Sequence, residues 1–177
     1  WPTEADGGGP SLELDLQSPD NSDAASWFIG QPYSPGAPNS LGATNGGDVA
    51  ITEILYKPLR EEYRETFDRV SRGSYMERDT DDFGEYVEIT NRGSSPIDLG
   101  GWRFTSGIEY TFEEATLDPG AILIVAADPE MTRERFGIEN VVGPFRGSLS
   151  DGGERITLTD EMGALIATVA YDARHPF

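Results

Sequence analysis

The sequence predicts an all-β fold, a β-sandwich with two short helices and a long N-terminal strand/linker arm. Three observations lead there. From Val49 onward, short apolar or alternating segments recur between clusters of Gly, Pro, Asn and Asp. Only two stretches carry helical signals. The first 48 residues hold one clear strand but too few apolar residues for a core of their own.

That strand comes first. Ser11–Leu12–Glu13–Leu14–Asp15–Leu16 alternates polar and apolar residues, so Leu12, Leu14 and Leu16 share one face. Burying three leucines is worth roughly 5–9 kcal/mol gross, so they need a sheet from elsewhere. Residues 17–48 read as a linker, interrupted by Pro19, Pro32, Pro35, Pro38 and Gly46–Gly47. Within it, Trp27, Phe28 and Tyr33 are too apolar to stay in water and are expected to dock. The division is therefore an arm over 1–48 and a sandwich over 49–177.

Strands are expected at 49–56, 85–91, 101–105, 110–112, 121–126, 155–159 and 164–171. Ala121–Ala126 is apolar throughout, as befits a strand central in its sheet. Ile156 and Leu158 alternate with Arg155, Thr157 and Thr159, the pattern of a half-buried strand, and Asp160–Gly163 turns into the final hairpin. Trp102 follows two glycines and is expected to anchor the core. One helix is capped by Asp128, opens with Pro129 and ends at Gly137. The other runs from Glu61 to about Val70, with Tyr63, Phe67 and Val70 on one face and a Glu65–Arg69 pair.

Composition narrows the function. Among 177 residues, 32 are acidic and 13 basic, for a net charge of −19. Residues 1–48 hold seven acids and no base, and Lys57 is the single lysine. Such a surface repels phosphate backbones, so no nucleic-acid partner is expected. With no cysteine, neither a disulfide framework nor a thiolate metal site is possible. No run approaches the roughly 18 apolar residues of a membrane span, and no membrane insertion is expected. Trp1 reads as a mid-protein cut or a processed end.

Candidate chemistry is sparse. Asp79, Asp81 and Asp82 form an oxygen-rich loop that could take calcium, although Phe83 stands where an EF-hand needs Asp or Asn; a solvated acidic loop is the plainer reading. Asp20–Asn21–Ser22–Asp23 is similar. Glu85 and Glu88 fall on opposite faces of a strand, which argues against a catalytic carboxylate pair, and with Glu53 they read as framework. His175 is the sole histidine and has no nucleophile to serve. No catalytic residue and no cofactor is assigned.

A family resemblance emerges from the ordered landmarks. Ile51–Tyr56, Glu85–Asn91, Ile97–Asp98–Leu99–Gly100–Gly101–Trp102, Leu117–Asp118–Pro119–Gly120, Leu149–Leu158 and Val169–Ala170–Tyr171 together resemble the bacterial lamin-tail domain. The resemblance implies an immunoglobulin-like β-sandwich. It also implies that the domain continues past its last tyrosine strand into an acidic glycine-rich stretch, a Ser-Leu-Glu-Leu strand, a tryptophan and a Pro-Gly-Ala-Pro-Asn close. Here those pieces stand at the front, as Ala5–Pro10, Ser11–Leu14, Trp27 and Pro35–Asn39, while the chain stops at His175–Pro176–Phe177. Reading Phe177 into Trp1 restores the usual order.

Three arrangements fit this permuted register: a chain closing on itself, units joined head to tail by strand donation, or one trimmed period of a longer protein. The head-to-tail array is favoured, because an ordinary domain order cut into repeats gives this register directly. The expected function is a non-catalytic structural repeat of a bacterial extracellular fibre or surface protein. Its partners would be copies of itself, linked through Leu12, Leu14, Leu16 and Trp27. The alternative is an accessory binding module for carbohydrate, cell wall or protein, using aromatics such as Tyr33, Tyr63 and Tyr75.

Overall fold

A computed structural model describes residues 11–14, 26–30, 35–36, 48–58 and 84–171. The strands are β1 (Ser11–Leu14), β2 (Trp27–Gly30), β3 (Val49–Leu55), β4 (Tyr86–Asn91), β5 (Ile97–Asp98), β6 (Arg103–Ser106), β7 (Tyr110–Thr111), β8 (Thr116–Leu117), β9 (Ile122–Ala126), β10 (Val141–Val142), β11 (Glu154–Thr159) and β12 (Leu165–Tyr171). The single described helix, α1, spans Pro129–Phe136. A six-stranded sheet in the order β10-β9-β4-β3-β1-β2 faces a four-stranded sheet in the order β12-β11-β6-β7, and β5 pairs with β8.

Alternation sorts each strand between the layers. Val87 and Ile89 of β4, Ile51 and Ile54 of β3, and Val125 of β9 point into the main core. There they meet Ile156 and Leu158 of β11, Val169 of β12, Phe104 of β6, and Trp102. The tryptophan is locked by its backbone: its N–H donates to the Leu99 carbonyl at 2.9 Å and its own carbonyl accepts from Phe112 N–H at 2.9 Å. The Asp160–Gly163 turn delivers β12 beside β11 as expected, with the Asp160 carboxylate accepting from the backbone N–H groups of Met162 and Ala164.

Strand β9 explains why 121–126 is apolar throughout. Its Val125 faces the main core, whereas Ile124 and Ala126 join Leu55, Tyr86, Met131 and Val141 in a second cluster on the outer face, under α1. The helix starts where the sequence says. Asp128 caps it by accepting from Met131 N–H at 2.9 Å, Pro129 occupies the first turn, and Gly137 ends it in the left-handed region at φ 67°. It then returns the chain to β10, parallel to β9.

Two expectations need amendment. The stretch read as a linker over 17–48 contains a strand, β2, which pairs Trp27 with Leu14 and buries its ring in the core. The short strands β5, β8 and β10 were too brief to carry a periodic signal. The helix expected over 61–70 lies outside the described residues.

From β10 the chain passes directly to Phe145 and Arg146, and Arg146 bridges Glu109 beside β7. This segment closes one lateral edge of the sandwich. Gly143 makes the crossing possible: at φ +136° it lies so close to β9 that a Cβ would collide with the Ala126 carbonyl oxygen. Replacement by alanine therefore forces both strained backbone and displacement of β9. Gly143→Ala should lower stability by about 3 kcal/mol, read as a shifted urea midpoint with an unchanged slope.

Candidate functional site

The site is the seat of the N-terminal strand. β1 lies antiparallel between β2 and β3, with Leu12 opposite Ile54 and Ile29, Glu13 opposite Glu53 and Phe28, and Leu14 opposite Trp27. Leu12 and Leu14 are 1% and 0% exposed and belong to the main core, as does Trp27. Three of the four residues expected to form the strand joint thus come together on one chain; Leu16 lies outside the described residues.

The reverse face of β1 is unexpected. Alternation assigns Ser11 and Glu13 to solvent, yet both are buried. Glu13 stands opposite Glu53, and Glu53 opposite Glu88, so three carboxylates form a row across β1, β3 and β4. All three are at most 1% exposed. A register shift between Ile51 and Glu53 brings Thr52 to this same face. There its hydroxyl donates to Glu88 Oε1 at 2.7 Å and contacts the Thr90 hydroxyl at 3.0 Å. The backbone N–H of Gly36 donates to Glu88 Oε2 at 3.1 Å, so the Pro35–Gly36 turn rests on β4. Tyr86 donates its hydroxyl to Glu53.

Directly opposed residues of neighbouring strands have Cβ atoms about 5 Å apart, and two charges at that distance repel by about 3 kcal/mol at an effective dielectric of 20. Burial, then the charges of Glu53 and Glu13, push the Glu88 carboxyl well above its ordinary value. The bonds from Thr52 and Gly36 oppose that rise without cancelling it. The Ser11 hydroxyl, two residues along from Glu13, is buried without a hydrogen-bond partner. The seat therefore combines a strong apolar anchor with a polar face that resists burial.

Glu85 belongs elsewhere: its carboxylate accepts from Leu149 N–H at 2.8 Å, remote from the bonds that hold Glu88. The candidate calcium residues Asp79, Asp81 and Asp82, together with His175 and the aromatics Tyr33, Tyr63 and Tyr75, lie outside the described residues. Among the described residues, no group of three or more His, Cys, Asp or Glu side chains is arranged to hold a metal ion. No helix among them is long and apolar enough to cross a membrane.

The glutamate row has a testable consequence. Because the folded state holds the Glu88 proton more tightly than the unfolded chain does, the contribution of Glu88 to stability is fully present below its ordinary pKa and is lost as pH rises toward the elevated folded value. Glu88→Gln removes that titration at the cost of the Gly36 bond, which is independent of pH. In thermal melts between pH 4.5 and 8, the stability difference between Glu88→Gln and the parent should move in the variant's favour with rising pH, by up to about 1.4 kcal/mol per pH unit. Parallel profiles would refute an elevated Glu88.

Comparison with known proteins agrees with this architecture. The family described as Lamin Tail Domain matches residues 42–173, which takes in every strand from β3 to β12. No curated protein sequence matches the chain. With the landmarks of 49–171 folded into facing sheets, and the family match extending over well more than half its length, this chain belongs to the lamin-tail domain family, an immunoglobulin-like fold.

Proposed function

We propose that this chain is a non-catalytic structural repeat of a bacterial extracellular fibre or surface protein, with the domain's C-terminal part carried at its N-terminus. In this reading its units are linked head to tail when the strand Ser11–Leu14 takes the β3 seat of a neighbouring copy. The supporting observation is the character of that seat. Leu12 and Leu14 supply deep apolar anchoring, while Glu13 adds a carboxylate to the Glu53–Glu88 row, giving a joint that is specific yet separable.

In the single chain the strand occupies its own β3. A neighbour's strand would make the same contacts, which is the energetic condition for exchange between copies. About 34 residues separate Leu14 from Val49 in sequence, enough to reach roughly 110 Å at full extension. Closure within one chain is favoured in dilute solution, because a short tether gives an effective concentration in the millimolar range. Donation then requires crowding or tandem copies. Acidity and the family resemblance suit an extracellular setting, and the family's structural character suits a scaffold without catalysis.

The test is assembly at high protein concentration, followed by light scattering after size exclusion. The parent should form oligomers with a strand-exchange signature: labelled and unlabelled copies mix only after slow opening. Deleting residues 1–16 should abolish the oligomers. Leu14→Asp should do the same while also lowering stability by about 3–5 kcal/mol, the cost of an unpaired charge in the core. A parent that stays monomeric throughout, with Leu14→Asp changing only its melting temperature, would overturn the linking role and leave a self-closed module.

A further inference from the structure

The N-terminal arm touches the body of the domain at two places, and both involve a buried carboxylate. β1 sets Glu13 opposite Glu53, which is itself opposite Glu88. The Pro35–Gly36 turn, also part of the arm, rests on Glu88 through the Gly36 N–H, which donates to Oε2 at 3.1 Å. The turn also meets Ile138, just past the end of α1: a Cβ at Gly36 would come within 3.2 Å of the Ile138 side chain. Seating the arm therefore carries Glu13 out of water and closes the turn over Glu88.

The groups that face this row set its electrostatics. Thr52 and Tyr86 donate their hydroxyls to Glu88 and Glu53, and the Thr90 hydroxyl lies beside that of Thr52. α1 lies on the same side of the sheet, with Phe136 edge-on to the Tyr86 ring at 5.9 Å, and carries Glu130, Arg133, Glu134 and Arg135. Its Arg133 donates to the Val141 carbonyl. Burial weighs most against an ionised Glu88; among the described residues, the charge of Glu53 and then that of Glu13 add to it. Two of these three influences change when the arm leaves, because the turn and Glu13 leave with it.

We propose that a proton latches the arm: β1 stays seated while the Glu13–Glu53–Glu88 row holds one, and comes away as the row ionises. Opening returns Glu13 to water and lifts the Gly36 turn from Glu88. Solvent then reaches a carboxylate that gives up its proton to water at ordinary acidity, so rising pH favours the open arm. The inference rests on the head-to-tail reading and adds its regulation. A donated strand meets the same row, so the proton governs how fast strands pass between copies and not the balance between closed and linked forms. Neutral solution lets partners change, and acid fixes whichever strand is seated.

The test uses the full chain in two measurements between pH 5 and 8. In dilute solution, amide hydrogen exchange at β1 reports opening of the arm. Dividing the parent's rate by that of Glu88→Gln at each pH cancels the intrinsic pH dependence of exchange. The ratio should rise with pH, by up to about tenfold per unit, with β1 exchanging faster than β11 and β12. Thr52→Val, compared in the same way, loses the hydroxyl that favours the charged form of Glu88 and should move the rise to higher pH. A flat ratio, or β1 amides that exchange only together with those of β11 and β12, would overturn the latch. At high concentration, labelled and unlabelled copies are mixed at each pH, and their strand exchange should quicken by the same factor. Mixing at a rate indifferent to pH would overturn the latch and leave the head-to-tail reading standing. A pH-dependent ratio at β1 with no mixing of copies would overturn the head-to-tail reading and leave the latch in place.

Discussion

Completion of the larger sheet by β1 is the interaction on which the rest of the structure depends. Without Leu12 and Leu14, the edge of β3 would show unpaired backbone groups to water and the core beneath Ile54 would stand open. Trp27 reinforces the closure by pairing beside Leu14, so the arm contributes two strands to one continuous layer. What would otherwise be an aggregation-prone edge is covered by a strand that the linear sequence places before the domain.

The polar side of the same strand sets the terms of that closure. A row of buried glutamates across β1, β3 and β4 is costly, and it persists because the leucines on the reverse face oppose it and because Thr52, Tyr86 and Gly36 hydrogen-bond the carboxylates. Truncating one member need not destabilise the fold, since removing a like charge relieves repulsion while deleting a leucine leaves a cavity. The two faces of one short strand thus respond to mutation with opposite sign.

Elements with a local cause were legible in the amino-acid order. Period-two alternation marked Ser11–Leu14 and Glu154–Thr159, Asp128 with Pro129 and Gly137 bounded the helix, and the ordered landmarks from Ile51 to Tyr171 identified the family. Glu13 was legible as a strand residue but not as a buried one, because alternation assigns it to the solvent face and cannot know that its face lies against Glu53. The two-residue strands β5, β8 and β10 escaped because two residues carry no period, and β2 because the prolines and glycines around it read as a linker. Long-range packing fixes which strand β1 joins, the alignment of Glu13 with Glu53 and Glu88, and the gathering of Arg103 and Arg146 at one edge. Each brings together residues distant in sequence, and strand register and sheet order, not local preference, fix what such residues meet.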